Sequence, residues 1–309
     1  MHPILVAAFL AAAGAAAPGP LPLELVGDIP LPGGATRFDY QWVDDARHRL
    51  YIAHLGADSL IVFDLHTQKV VGEVGGLPSV HGVVAAPERH LVFATITGQK
   101  KLALIDDETL AVRARVAAGE YPNGLAYDPK ADKVFVSNNT GVGIAVVDVK
   151  HGRPLAGIDI GGGAGNTQYD AVSGHVFAAI HKVAALAEID PAEGKLLKRH
   201  RLVGVRSCHG LLVAAAIRMA FAACGGDAGP KLVVFDLEQR RQRSVASIPA
   251  RRERALALVA ADPGARGAGR NHRGERQSRH HPCAHAAILR DRRRPEAAGV
   301  TLPQSLPGL

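Results

Sequence analysis

Asp39, His81 and Asn123 lie 42 residues apart, and Asn166 and His209 follow at intervals of 43. A carboxylate, two imidazoles and two amides offer hydrogen-bond donors and acceptors to a small polar ligand. Neutral imidazole helped by a carboxylate is also a donor set for a transition metal. Such residues do chemistry together only if something brings distant stretches of chain to one place. The regular interval suggests that the fold itself is periodic.

A second periodicity identifies the elements that position them. Hydrophobic stretches end in Phe63-Asp64, Ile105-Asp106, Val147-Asp148, Ile189-Asp190 and Phe235-Asp236, with the aspartates 42, 42, 42 and 46 residues apart. Earlier in each unit stands an aromatic residue in a short apolar run: Tyr51, Phe93, Phe135, Phe177 and Phe221. Turn formers such as Asp128-Pro129-Lys130-Ala131-Asp132 separate the runs. Valine, isoleucine and glycine dominate, and a 3.6-residue period is absent, which excludes a helical repeat. In the third unit the pattern predicts strands over residues 123–127, 133–137, 143–149 and 153–160. Four short strands repeating every 40 to 50 residues predict an all-β chain, a β-propeller of four-stranded blades with five recognisable blades over residues 23–248. Each Asp anchor is expected to accept hydrogen bonds from turn amides two or three residues on.

In a propeller the first strand of each blade lines a central channel, so Asp39, His81, Asn123, Asn166 and His209 should ring one mouth. Loops after the second strands reach the same face and add His54, Asn138 beside Asn139, His181 and Cys224. This ring is the candidate site for a small molecule or peptide, with a divalent metal as a further possibility. The same residues also have a structural account: buried strand ends need side-chain hydrogen bonds. Cys208 and Cys224 should both face the mouth. In an oxidising compartment they would close a disulfide; otherwise they stay as two buried thiols.

The ends differ from the repeats. Residues 1–17 are almost wholly apolar and close on Ala15-Ala16-Ala17, which suggests a secretory signal peptide and a periplasmic or secreted protein. Residues 249–309 hold 12 basic and 5 acidic residues and no aromatic, and this excess equals the formal net charge of +7. An arginine-rich arm of that kind would bind an anionic surface such as nucleic acid. Translation out of frame from GC-rich DNA would give the same composition. The repeat favours the second account, since the next anchor, due near residue 278, is missing. The tail is therefore expected to be disordered, its His280, His281, Cys283 and His285 to form no metal site, and nucleic acid not to be the partner.

Arg37-Phe38-Asp39-Tyr40, Leu50-Tyr51-Ile52-Ala53-His54, Val80-His81-Gly82-Val83, Tyr121-Pro122-Asn123-Gly124, Gly165-Asn166-Thr167 and Cys208-His209-Gly210 resemble blades of the bacterial periplasmic propellers of the YVTN-repeat, YncE-like type. The resemblance implies seven blades, of which two are not recognisable here, and a role in binding or as a scaffold. It also implies that Leu23 to Pro30 would complete the last blade. An open ring would expose apolar blade faces and favour self-association. The alternative is a propeller enzyme of lactonase or quinoprotein type with a metal or cofactor at the mouth. For a lactonase-like cation the mouth offers Asp39, Asn123 and Asn166 but no glutamate. For a quinone the chain offers one tryptophan, Trp42, where quinoproteins use several.

Overall fold

The computed structural model describes residues 23–141, 143–248, 284–291 and 298–301. A leading strand, β1 (Leu23–Leu31), is followed by five antiparallel sheets of four consecutive strands each. Blade 1 holds β2 (Gln41–Asp44), β3 (Arg49–His54), β4 (Ser59–Asp64) and β5 (Lys69–Val74). Blade 2 holds β6 (Val80–Ala86), β7 (Leu91–Ile96), β8 (Lys101–Asp106) and β9 (Val112–Ala117). Blade 3 holds β10 (Pro122–Asp128), β11 (Lys133–Asn138), β12 (Gly143–Asp148) and β13 (Arg153–Asp159). Blade 4 holds β14 (Ala164–Asp170), β15 (His175–Ile180), β16 (Ala185–Asp190) and β17 (Lys195–Arg201). Blade 5 holds β18 (Cys208–Ala214), β19 (Met219–Cys224), β20 (Lys231–Asp236) and β21 (Arg241–Ser247). The strands expected in the third unit differ from β10 to β13 by at most one residue at either end.

The last strand of each blade is the most exposed. Every residue of β6 and β10 is buried, whereas β5 and β9 alternate between exposed and partly buried residues. The first strands of neighbouring blades pack against one another. The apolar core then joins each blade to the next. Tyr51 shares a core with Val83 and Val92 of blade 2, and Phe93 with Leu125 and Val134 of blade 3. Phe135 shares one with Val176 of blade 4, and Phe177 with Leu211 of blade 5. These four rings are 0% exposed. Phe221 holds the same place in blade 5, where no further four-stranded sheet follows among the described residues, and it is only half-buried.

All five Asp anchors receive the expected turn amides. Asp106 Oδ1 accepts from the amides of Glu108 and Thr109 at 2.9 and 2.7 Å, and Asp236 Oδ1 from those of Glu238 and Gln239 at 2.9 and 2.7 Å. Asp64, Asp148 and Asp190 repeat the pattern. Arginines on the turns between first and second strands tie blades together: Arg47 reaches Asp107 at 2.9 Å, and Arg218 reaches the buried Asp170 at 2.8 Å.

Cys208 and Cys224 are joined in a disulfide across a sequence separation of 16. Closing a loop of that length restricts the unfolded chain by about 3 kcal/mol. Reduction by dithiothreitol is expected to lower the urea midpoint accordingly. An unchanged midpoint would show that the bond adds no stability.

Two strands are described within the tail, which was expected to be disordered. β22 (Ala284–Asp291) lies within it and pairs antiparallel with β1, and β23 (Ala298–Thr301) pairs with β22. The short apolar run Ala286-Ala287-Ile288-Leu289 is masked when composition is averaged over an arginine-rich segment. The rest of the tail, including His280, His281 and Cys283, lies outside the described residues, as does the signal peptide expected over residues 1–17. No helix of the described residues is long and apolar enough to cross a membrane.

Candidate functional site

The ladder between first and second strands is broken at the same place in four blades. Pairing skips His81-Gly82 in β6, Asn123-Gly124 in β10, Gly165-Asn166 in β14 and His209 in β18. A bulge puts an extra residue opposite the partner strand and re-aims its side chain. The candidate residues are therefore the off-ladder residues of their strands. The glycines beside them allow neighbouring blades to meet. A Cβ on Gly82 would stand 2.4 Å from the Asn123 carbonyl oxygen, and one on Gly165 would stand 2.4 Å from the His209 carbonyl oxygen.

Blades 1 and 2 contribute a charged group. Arg37 lies 3.5 Å and His81 Nε2 3.7 Å from the same oxygen, Oδ2 of the buried Asp39. His81 Nδ1 is 2.9 Å from the Ser79 carbonyl and 2.8 Å from the Thr97 hydroxyl. The half-exposed Tyr121 ring meets His81 edge-on at 5.8 Å. Blades 4 and 5 contribute His181 and His209, whose ring centroids are 4.6 Å apart. The two halves sense one another. Burial, then the charges of His181, His81 and Arg37, hold His209 down at about 4. Burial likewise lowers His81 and His181. His181 Nε2, His209 Nδ1 and Asn123 Oδ1 are buried with no hydrogen-bond partner on another residue.

Three sequence candidates are used by the protein itself. Asn138 donates from Nδ2 to the Ala118 carbonyl at 2.9 Å and accepts the Tyr121 amide at 2.8 Å. Asn166 donates to the Leu211 carbonyl and accepts the Thr167 amide, both at 2.8 Å. His54 is held 2.7 Å from the Thr36 hydroxyl and stacks on Phe38 at 4.0 Å. Arg37 and Tyr121 belong to the mouth too, but neither recurs from blade to blade, so spacing does not single them out. Below the mouth a narrow cavity between the inner strands of blades 1 to 4 is lined by Tyr40, Gln41, Gly82, Leu125, Asn166 and Gln168. Among the described residues, the group of three metal-donor side chains that comes together within 4.8 Å is His90, Asp107 and Glu108. It lies at the other end of blade 2, where Arg47 already pairs with Asp107.

Burial, opposed by the Arg37 charge, raises Asp39 from 3.8 to about 7. A carboxyl whose folded value exceeds its unfolded one stabilises fully below the unfolded value, and that stability is lost as pH rises through the folded one. The window here is 3.8 to about 7, worth at most about 4 kcal/mol. Asp39→Asn is expected to gain stability relative to the wild type steadily from pH 4 to pH 7, as followed by urea unfolding. A difference independent of pH would show that Asp39 does not titrate there.

Five successive four-stranded sheets with a polar mouth define a β-propeller protein. No protein-family model matches the chain. No curated protein matches it in sequence. Among solved structures it is similar to a chain of the hydrazine synthase of Kuenenia stuttgartiensis, with a TM-score of 0.60 and 14% identity over 71% of this chain and 69% of that one. At that identity the likeness is one of fold, and a fold by itself selects no function.

Proposed function

We propose that this chain is an exported binding propeller of the YVTN-repeat, YncE-like type, whose mouth takes a small anionic molecule. The propeller fold supports a binding or scaffold role in general; the electrostatics of the mouth support the anion. The observation that carries the proposal is the Arg37 guanidinium at the mouth, 3.5 Å from the buried Asp39, beside the ring nitrogens His181 Nε2 and His209 Nδ1, which have no hydrogen-bond partner on another residue. Burial raises Asp39, which weakens it as a counter-charge for Arg37. A carboxylate or phosphate group would supply the missing negative charge and accept hydrogen bonds from the ring nitrogens. Tyr121 would cover an organic portion. Export is supported by the apolar residues 1–17 and by the disulfide, a bond that persists in oxidising compartments.

The test is a thermal-shift screen of the whole chain against small mono- and dicarboxylates, phosphate and neutral sugars. At least one anion class is expected to raise the melting temperature, and Arg37→Ala should abolish that rise. Stabilisation by neutral compounds alone, or anion binding indifferent to Arg37→Ala, would refute the reading.

A further inference from the structure

We propose that His181 and His209 form a two-imidazole seat for one transition-metal ion at the mouth. The seat deepens the binding reading above and rests on it for its place in the same site. His181 follows β15 of blade 4, and His209 stands in the bulge of β18 of blade 5, so the pair spans the junction of two blades. The ring centroids are 4.6 Å apart with planes inclined at 59°. A bond of about 2.1 Å from the ion to imidazole nitrogen puts the ion about 3.2 Å from a ring centroid. Two rings on one ion at roughly 90 to 110° then have centroids about 4.5 to 5.2 Å apart. The observed separation lies in that interval.

Donor atoms are available. His181 Nε2 and His209 Nδ1 are buried without a hydrogen-bond partner on another residue, a costly state for polar atoms that a ligand would relieve. The other nitrogen of His181 lies 3.4 Å from the Ser207 hydroxyl, so the ring is steadied from the side away from the seat. Burial keeps both rings in the uncharged form that binds metal. Imidazole donors suit copper, nickel or zinc rather than calcium or magnesium. Two protein ligands leave coordination positions open, and a carboxylate or phosphate of the bound anion would fill one. The His90, Asp107 and Glu108 group is a poorer seat, because the Arg47 guanidinium 2.9 Å from Asp107 repels a cation there.

The probe is copper(II) alone, added to chelator-stripped protein and followed by calorimetry and electron paramagnetic resonance. Titrations are run on the whole chain and on a background carrying His280→Ala, His281→Ala, Cys283→Ser and His285→Ala, which removes chelating side chains of the tail. The background protein is expected to bind one equivalent with hyperfine coupling from two imidazole nitrogens. His181→Ala and His209→Ala should each weaken binding at least tenfold, and His90→Ala should leave it unchanged. The resonance spectrum needs no substitution at the pair, so it stands even if those variants fold poorly. Coupling to fewer than two imidazoles, loss of all binding in the tail background, undiminished binding in His181→Ala, or loss in His90→Ala would overturn the seat. Arg37→Ala should abolish anion binding and spare copper, so failure of the metal seat is distinguishable from failure of the anion site.

Discussion

Glu188→Gln is expected to destabilise this protein by about 3 to 5 kcal/mol, the usual consequence of removing one member of a buried charge cluster. Glu188 is buried in β16 and holds three partners at 2.7 Å: His175 and His200 of its own blade, and Arg240 from the last turn of blade 5. Arg240 also lies 5.5 Å from the centre of the Phe177 ring, and His200 meets Phe235 edge-on at 5.1 Å. The carboxylate thus joins blades 4 and 5 by both charge and packing. Glutamine keeps the shape but leaves Arg240 without a counter-charge. Burial alone would raise the Glu188 carboxyl; the hydrogen bonds from His200 and His175 and the Arg240 charge outweigh it and hold the group at about 2, against 4.5 ordinarily. A depressed carboxyl stabilises above its unfolded value, and that stability is lost as pH falls through its folded value. Wild-type stability should therefore drop between pH 4.5 and about 2 by a margin absent in Glu188→Gln. Urea unfolding across that range decides it; a loss under about 1 kcal/mol at pH 7 would mean that the cluster is dispensable.

The second large effect is association. Tyr51, Phe93, Phe135 and Phe177 each face the following blade and are wholly buried, whereas Phe221 is not. Leu212, Leu232 and Val234 beside it are also only half-buried. Full burial of such a side chain is worth about 1.5 to 3 kcal/mol, so a sheet face of four gains several on being covered. The chain is expected to self-associate as its concentration rises, in sedimentation velocity, and Phe221→Ser should shift the distribution towards monomer. Val71→Ser, at a lone exposed position of blade 1, serves as control. A monomer that melts cooperatively at every concentration would count against this.

The fold was legible because each blade repeats the same two devices, an apolar strand ending in aspartate and an aromatic facing the next blade. Phe135 and Asp148 show this: spacing alone assigns the first to a core strand and the second to a turn, and both are found there. The site was legible only in part. His209 and Asn166 occupy equivalent bulges, yet Asn166 spends both ends of its amide on backbone while His209 keeps a free nitrogen. Residue type does not separate these uses; the position of the neighbouring carbonyl does. Arg37 was hidden for the opposite reason, since a residue without counterparts is invisible to an argument from recurrence. Glu188 was hidden too, because its three partners come from two strands and a turn with no common spacing. The glycine beside each bulge residue was a signal in plain view, as His81-Gly82, Asn123-Gly124, Gly165-Asn166 and His209-Gly210.

That pairing of bulge and glycine bears on how such a mouth changes over generations. A residue outside the ladder can be exchanged without altering strand register, so one blade can trade histidine for asparagine while the sheet stays as it was. The glycine of the preceding blade sets the limit: Gly82 leaves room for the chain at Asn123, and Gly165 for the chain at His209. Selection can thus edit the mouth one letter per blade, provided that the glycine before each letter stays fixed. The architecture separates what the protein recognises from what keeps it folded.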